Sequence, residues 1–190
     1  MTGVQPAAVV IGASAGAVQA LSDILPRLPA DYPLPILIVV HVPAAPSGLT
    51  PLFSAKCAVT VVEPDDKEVI APGTVYFGPP DYHLLVEPGA SIALSADAPV
   101  LFSRPSIDVL FESAAEHYGR ELLGIILTGA NEDGARGAAV IERRGGTVLV
   151  EDPATAYAAA MPKAALARCP AAKALSLDAI TDHLLSAGAR

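Results

Sequence analysis

The chain has 190 residues, of which 52% are hydrophobic and 17% are charged, and its formal net charge at pH 7 is −8. This composition excludes a disordered chain and indicates a globular protein, long enough for one domain spanning residues 1–190. The negative charge argues against nucleic acid as a partner, because phosphate binding needs clustered Lys and Arg.

A strand–helix–strand unit is predicted at the start of the chain. Residues 7–11 are continuously apolar, which is typical of a short buried strand. The next apolar residues recur at helical spacing and end at two prolines, namely Val18, Leu21, Ile24, Leu25 and Leu28, with Pro26 and Pro29. Residues 36–40 form a second apolar run, of the kind that is buried on both faces of a parallel sheet. Together these segments predict a βαβ unit with a right-handed crossover.

Four short apolar runs occupy the middle of the chain, at 59–62, 75–77, 84–86 and 91–94. Turn signals such as Pro72-Gly73 and Pro88-Gly89 separate them, so we expect short strands that include an antiparallel hairpin.

The alternation of helix and strand returns from Pro105 onwards. Apolar spacing predicts a helix from Ile107 to Tyr118 that ends at Gly119. A buried strand at 122–127, a helix at 135–143, a strand at 147–150 and helices at 159–167 and 178–187 follow. The predicted fold is α/β: a doubly wound, mostly parallel sheet with helices on both faces and a short antiparallel hairpin.

Cysteine usage and hydropathy predict where in the cell the protein is found. Cys57 and Cys169 provide neither a disulfide framework nor a metal-binding spacing. The first six residues lack the basic segment of a signal peptide, and no apolar stretch is long enough to span a membrane. We therefore expect a cytoplasmic protein with no metal, no cofactor and no membrane insertion.

Three residues that are suited to acyl transfer follow predicted parallel strands. Ser14 lies between Gly12 and Gly16 after the first strand, His41 directly follows the second, and Asp133 follows the strand at 122–127. Sites in open α/β sheets form at the carboxyl ends of the strands. A serine hydroxyl becomes nucleophilic when an imidazole takes its proton, and a carboxylate must orient that imidazole. Backbone N–H groups after Ser14, where a helix begins, could face an oxyanion.

Each of these residues also has a structural interpretation. Ser14 could cap the following helix, His41 could be satisfied by backbone groups, and Asp133 could cap the helix after Gly134. Their coincidence at three strand ends favours a catalytic site.

Two other chemistries are poorly supported. The segment 12–17 also resembles a Rossmann cofactor loop, but the second strand ends in His41 rather than an acidic residue, and none of the five tyrosines has a lysine four positions later. For a metal site, Asp81 and His83 form only a lone pair, while His117 and His183 lie on predicted helices. His83 is expected to support a loop near the site.

Six blocks of the sequence, in this order, carry a resemblance to a known family: VIGASAG at 10–16, VHVP at 40–43, VYFGPPDYH at 75–83, RPSIDVLF at 104–111, LTGANEDGA at 127–135 and AMP at 160–162. They closely resemble the catalytic domain of the bacterial chemotaxis protein-glutamate methylesterases, the CheB family, over residues 7–170. The resemblance implies a doubly wound sheet and a carboxylic ester hydrolase. The implied activity is hydrolysis of γ-glutamyl methyl esters on chemoreceptor cytoplasmic helices, with deamidation of selected glutamines.

The resemblance also implies roles for individual residues. Ser14 resembles the nucleophile, His41 the general base and Asp133 the residue that orients the histidine. The backbone N–H groups of Ala15 and Ala130 fall at oxyanion positions.

A further block of the family lies near the substrate surface and matches Arg104, Ser106 and Asp108. These residues either shape that surface or, with Pro105, open a helix.

The chain departs from the family in ways that bear on rate and regulation. The family commonly has Thr at the position of Ala15 and Asn at the position of Glu132. Glu132 would add negative charge near the histidine if it pointed inward. Members usually carry an N-terminal receiver domain, whereas this chain begins within six residues of its first strand, so control by a separate protein, or none, is expected. The alternative hypothesis is a receptor-binding module of the same fold with weak or no activity.

Overall fold

The computed structural model describes residues 4–41 and 48–189; Val42 and Pro43, which belong to the VHVP block, lie outside the described residues. The strands of the described part are β1 (Ala8–Ala13), β2 (Ile36–Val40), β3 (Thr60–Val62), β4 (Thr74–Phe77), β5 (His83–Glu87), β6 (Ser91–Ser95), β7 (Leu122–Ile126), β8 (Thr147–Glu151) and β9 (Lys173–Leu175). The α-helices are α1 (Ala17–Ile24), α2 (Leu49–Ser54), α3 (Ile107–Tyr118), α4 (Ala135–Arg143), α5 (Ala160–Arg168) and α6 (Leu177–Gly188). Short 3₁₀ turns at Leu25–Arg27 and Gly119–Glu121 follow α1 and α3.

A parallel sheet forms the centre of the molecule, with the strand order β3-β4-β2-β1-β7-β8-β9. The chain adds strands on one side of β1 and then continues on its other side with β7. This reversal makes the gap between β1 and β7 a topological switch point, where the loops after neighbouring strands diverge. The predicted fold class is confirmed, and the antiparallel hairpin is formed by β5 and β6.

Alternate strand residues pack into two separate apolar layers. On β1, Val9 and Ile11 belong to the layer that includes α1, α2 and α6, while Val10 belongs to the layer of α3, α4, α5 and the β5–β6 hairpin. The sheet is therefore buried on both faces, which explains its continuously apolar strands. No helix within residues 4–41 and 48–189 is long and apolar enough to cross a membrane.

The structure differs from the sequence-based prediction in four places. Strand β1 runs to Ala13, two residues beyond the predicted apolar run, because the small residues Gly12 and Ala13 continue the ladder with β2. The side chain of Val18 is exposed, since α1 buries its alanines together with Leu21 and Ile24. Helix α2 and strand β9 were not predicted, because α2 is short and contains Pro51, and β9 is a three-residue edge strand without an apolar run.

Helices α3 and α4 cross closely at Gly137. A Cβ atom added there would lie 2.5 Å from the Cβ of Phe111 and 3.2 Å from the Cα of Asp108. Such contacts are shorter than van der Waals separation, so this position has room only for glycine. The close approach brings the N-terminal ends of α3 and α4 together.

Replacing Gly137 with alanine should lower the free energy of unfolding by about 1–3 kcal/mol, because overpacking outweighs the gain in helix propensity. Urea unfolding measures this change. Arg143→Ala, an exposed substitution on the same helix, should change the value by less than about 0.5 kcal/mol. Equal stability of Gly137→Ala and the wild type would contradict the close-approach interpretation.

Candidate active site

The three residues singled out in the sequence follow three adjacent strands. Ala13 of β1 pairs with Val40 of β2, so Ser14 and His41 leave the sheet side by side. On the other side of β1, the N–H of Ser14 donates to the carbonyl of Thr128, which follows β7, at 2.9 Å. The strand order thus places the loops of Ser14, His41 and Asp133 at one edge of the sheet.

His41 and Asp133 are in direct contact. Nε2 of His41 lies 2.7 Å from Oδ2 of Asp133, whose side chain is completely buried. A carboxylate only accepts, so Nε2 carries the proton and Nδ1 holds the lone pair. The side-chain Nδ2 of Asn131 donates toward that lone pair at the long distance of 3.4 Å. One neutral tautomer therefore satisfies both neighbours, with Nδ1 as its basic atom.

The Asp133 carboxylate receives four hydrogen bonds. Besides His41, the donors are the Oγ of Ser106 at 2.9 Å and the backbone N–H groups of Ile107 at 2.7 Å and Asp108 at 3.0 Å. These backbone donors belong to the first turn of α3, where the helix dipole also favours an anion. Burial by itself would raise the pKa of Asp133, but the hydrogen bonds from His41, Asp108 and Ile107 outweigh it and lower the pKa below its ordinary value.

Asp108 makes the reciprocal contact with the next helix. Its Oδ1 accepts from the N–H of Gly134 at 3.0 Å and of Gly137 at 2.7 Å, at the start of α4. Each helix therefore has its N-terminal donors capped by an aspartate that belongs to the other helix or its preceding loop. Burial raises the pKa of Asp108, and the nearby charge of Asp133 adds to that rise, while Gly137 and Arg136 oppose it.

That Ser106 and Asp108 shape the substrate surface stays a prediction, and any such effect would be indirect. Both side chains are buried, with Ser106 as the N-cap of α3 and Asp108 in its first turn. The alternative interpretation as a helix opening is closer, although Pro105 precedes the cap rather than beginning the helix. Arg104 is partly exposed, but its guanidinium binds Asp81 and two backbone carbonyls. It therefore holds its own loop closed.

The loop of Ser14 is held by Thr128. The Thr128 hydroxyl donates to the carbonyl of Ala15 at 2.8 Å and accepts from the N–H of Ala158 at 2.8 Å. The backbone N–H of Thr128 in turn donates to Oε2 of the buried Glu151 at 2.7 Å. Burial raises the pKa of Glu151, partly offset by this hydrogen bond. These contacts fix the loops after β1, β7 and β8 relative to one another.

Three polar groups beside the pair of His41 and Asp133 are uncommitted. Within residues 4–41 and 48–189, neither the Ser14 hydroxyl nor the backbone N–H groups of Ala15 and Ala130 form a hydrogen bond. The structure thus does not join Ser14 to His41 by a hydrogen bond, although their backbones are adjacent. Catalytic hydrogen bonds are often long before a substrate is present. A hydroxyl, a basic nitrogen and unsatisfied N–H donors are the components of acyl transfer.

Sequence reasoning missed three residues of this site: Thr128, Asn131 and Glu151. A signal for Asn131 existed, because its Oδ1 accepts from the N–H of Asp133 at 3.1 Å, the two-residue spacing of an Asx-turn. Thr128 and Glu151 gave no comparable signal, since each acts on a partner distant in sequence.

The remaining singled-out residues lie outside this cluster. Glu132 is exposed and lines a groove that Asp108 also borders. His83 is buried, donating from Nε2 to the carbonyl of Ala98 and accepting at Nδ1 from the N–H of Ser106. It supports the loop before α3. In the described part of the chain, no group of three or more His, Cys, Asp or Glu side chains is arranged to hold a metal.

A family model, named relatives and a solved structure all match this chain and point to the same family. The family model for CheB methylesterase matches residues 9–184. A Leptospira interrogans protein, provisionally named a protein-glutamate methylesterase/protein-glutamine glutaminase, is 45% identical over 92% of this chain and 91% of its own length. The protein-glutamate methylesterase/protein-glutamine glutaminase 2 of Cupriavidus pinatubonensis is 40% identical over 94% of this chain. The chain spans 51% of the length of that relative.

A solved structure shows the same architecture. The crystal structure of the Thermotoga maritima CheB methylesterase catalytic domain matches with a TM-score of 0.89 and 33% sequence identity. The match covers 96% of this chain and 99% of the other.

Asp133→Asn should reduce the free energy of unfolding at neutral pH by about 2–4 kcal/mol, because a neutral amide cannot accept four donors. The lowered pKa of Asp133 means that its contribution is complete above about pH 3.9, the pKa of an unfolded aspartate, and is lost as the pH falls through the folded value. The difference from the wild type should therefore shrink from pH 5 to pH 2, as measured by urea unfolding.

The control for this experiment is Asp178→Asn, at an aspartate whose side chain is 88% exposed. Its difference from the wild type should be small at every pH. A difference at Asp133 that widens toward low pH would show that the carboxylate is not stabilised in the folded state.

Proposed function

Because the chain belongs to the CheB methylesterase family, we propose that it hydrolyses γ-glutamyl methyl esters on the cytoplasmic helices of chemoreceptors, with Ser14 as its nucleophile. The observation that carries this proposal is the 2.7 Å contact between His41 and the buried Asp133, beside the loop of Ser14. A cytoplasmic location follows from that substrate.

The acylation step uses the lone pair on Nδ1 of His41. Oγ of Ser14 attacks the ester carbonyl carbon while Nδ1 of His41 takes the hydroxyl proton. The backbone N–H groups of Ala15 and Ala130, which have no described protein acceptor, stabilise the oxyanion of the tetrahedral intermediate. The bond to the methoxy oxygen then breaks, and His41 returns its proton to the departing methanol. A glutamyl ester of Ser14 remains.

Water completes the reaction. His41 takes a proton from a water molecule, which attacks the acyl carbon, and the proton then passes to Oγ of Ser14 as the glutamate is released. Asp133 stays ionised throughout and stabilises the imidazolium through Nε2, in agreement with its lowered pKa.

Asn131 contacts Nδ1 of His41, the atom that accepts the Ser14 proton in this mechanism. Its Nδ2 faces Nδ1 of His41 at 3.4 Å, which is a weak contact. The hydroxyl of Ser14 must replace that contact before attack, because the neutral imidazole has a single acceptor lone pair, on Nδ1. After proton transfer Nδ1 is itself a donor and cannot accept from an amide. Asn131 remains tied to the loop through its bond to the N–H of Asp133.

Glutamine deamidation is a natural second activity of the same residues. Relatives carry the name protein-glutamine glutaminase as well as protein-glutamate methylesterase. The acyl-enzyme is identical in the two reactions, and only the leaving group changes from methanol to ammonia. Because ammonia is a poorer leaving group, deamidation depends more strongly on proton donation by His41.

The alternative of an inactive receptor-binding module is not favoured. Binding alone would not need a buried carboxylate in contact with an imidazole. Glu132, which would have added negative charge near the histidine if it pointed inward, is exposed. Ser14→Ala separates the two hypotheses, because it should remove hydrolysis and leave receptor binding intact.

Methanol release from a methylated chemoreceptor cytoplasmic fragment tests the proposed function. Ser14→Ala and His41→Ala should each lower kcat by at least about 1000-fold, because nucleophile and base act as one unit. Ser186→Ala in α6 and His117→Ala, at an exposed residue of α3, are the matched controls and should retain wild-type rates.

Two outcomes would contradict the proposal. A folded wild-type protein that releases no methanol would not be a methylesterase for this substrate. Full activity in Ser14→Ala would leave the reaction without the proposed nucleophile.

A further inference from the structure

A tight turn next to the site presents two apolar side chains to solvent. The backbone of Val100 and Ser103 exchanges two hydrogen bonds, of 3.1 and 2.9 Å, around a two-residue loop of Leu101 and Phe102. Phe102 is fully exposed and Leu101 is 41% exposed. Removing such side chains from water is favourable, so a partner that covers both neighbours would gain binding free energy.

The backbone of this turn is also unfavourable for its residues. Leu101 has φ 48° and Phe102 has φ 64°, so both occupy the left-handed region. Two-residue hairpin turns of this type are dominated by Asn-Gly and related pairs, because bulky side chains clash there. A left-handed conformation is costly for each residue, and such outliers cluster at functional sites. The turn therefore combines an unfavourable backbone conformation with exposed apolar side chains.

The turn stands beside the Asp133 side of the site. Three residues after Ser103, the N-cap Ser106 donates to Asp133 at 2.9 Å. Leu101 and Glu132, the neighbour of Asp133, line one groove of about 250 Å³. Another exposed aromatic residue, Tyr157, lies close to Gly16, two residues after Ser14.

An unpaired positive charge lies in the same groove. Among the described residues, Arg104 is paired with Asp81, and Arg136 with Glu112 and Asp108, whereas exposed Arg168 forms no ion pair. The chain as a whole carries a net charge of −8. The same groove is lined by Glu132 and Asp108, but neither forms an ion pair with Arg168. An arginine that is free to pair, beside an apolar tip, complements a partner that offers apolar side chains and carboxylates together.

We propose that the turn of Leu101 and Phe102, with Arg168, is the docking surface for the substrate helix; this inference rests on the proposed function. A helix that bears glutamyl esters also bears unesterified glutamates for Arg168. Its apolar side chains one turn away from the ester, at i+3 or i+4, lie on the same face and receive Phe102. Because Arg104 binds Asp81 and two backbone carbonyls, the loop is rigid before binding and loses little entropy.

Two variants of the turn test this docking surface. Phe102→Ser removes the aromatic side chain, and the double variant Leu101→Asn with Phe102→Gly supplies the residues that this turn type prefers. The double variant keeps the turn and should match or exceed the wild-type Tm, which separates loss of docking from loss of folding. Val69→Ser, at a 70% exposed valine in a different loop, is the matched control.

The first readout compares two substrates. These are a methylated chemoreceptor cytoplasmic fragment and the γ-methyl ester of N-acetylglutamate. In both turn variants, the ratio of kcat/KM for the fragment to that for the small ester should fall by at least about tenfold, mainly through KM, which corresponds to one lost anchor side chain. Val69→Ser should leave this ratio at the wild-type value.

The second readout is binding without turnover. In a Ser14→Ala background, both turn variants should bind the methylated fragment at least about tenfold more weakly than the wild-type turn. Arg168→Gln in the same background should weaken binding and reduce its dependence on salt.

The outcomes are distinguishable from those of the proposed function. Unchanged binding and an unchanged substrate ratio in both turn variants, beside an active wild type, would overturn the docking surface alone. A wild type that neither binds nor hydrolyses the fragment would overturn both proposals. Concentration-dependent dimers that Phe102→Ser abolishes in sedimentation would assign the turn to a second copy of the chain, and would likewise overturn this inference.

Discussion

The burial of the Asp133 carboxylate is the constraint on which the rest of the site depends. An ionised carboxyl group loses several kcal/mol of hydration in a protein interior unless donors replace the water. Ser106, Ile107 and Asp108 supply three of those donors from the start of α3, and His41 supplies the fourth. Asp108 then serves α4 in the same way. The same network of hydrogen bonds therefore fixes both the packing of the two helices and the orientation of the imidazole.

The nucleophile side of the site is organised differently. Ser14 is fixed through its backbone, with its N–H on the carbonyl of Thr128 and its loop on the Thr128 hydroxyl. Its own hydroxyl stays free within the described part of the chain, as do the nearby N–H groups of Ala15 and Ala130. The protein thus holds the groups around His41 in place and leaves unsatisfied the groups that the proposed mechanism assigns to the substrate. This division suits catalysis by preorganised donors.

Sequence patterns predicted most of the fold because its strands are buried on both faces. Continuous apolar runs at β1, β2 and β7 mark such strands, and the residue types that follow them marked the site. Sequence patterns failed where a structural feature depends on residues that are distant in the chain or on a strand without an apolar run. Strand β9 is an exposed edge. Ser106 and Asp108 were expected either near the substrate surface, through a family block, or in a helix opening, and no local pattern predicted that both would be buried. Their burial depends on Asp133, which lies 25 or more residues further along the chain.

The sequence by itself determined that Ser14, His41 and Asp133 come after buried parallel strands, since apolar runs and the residues that end them are local properties. Only the tertiary structure decided that the three strands are neighbours and that Nε2 of His41 faces Asp133, which leaves Nδ1 as the nitrogen with a lone pair. It also decided that Leu101 and Phe102 are exposed beside this site. Strand order, tautomer and exposure arise from contacts between residues distant in sequence, which no local pattern encodes.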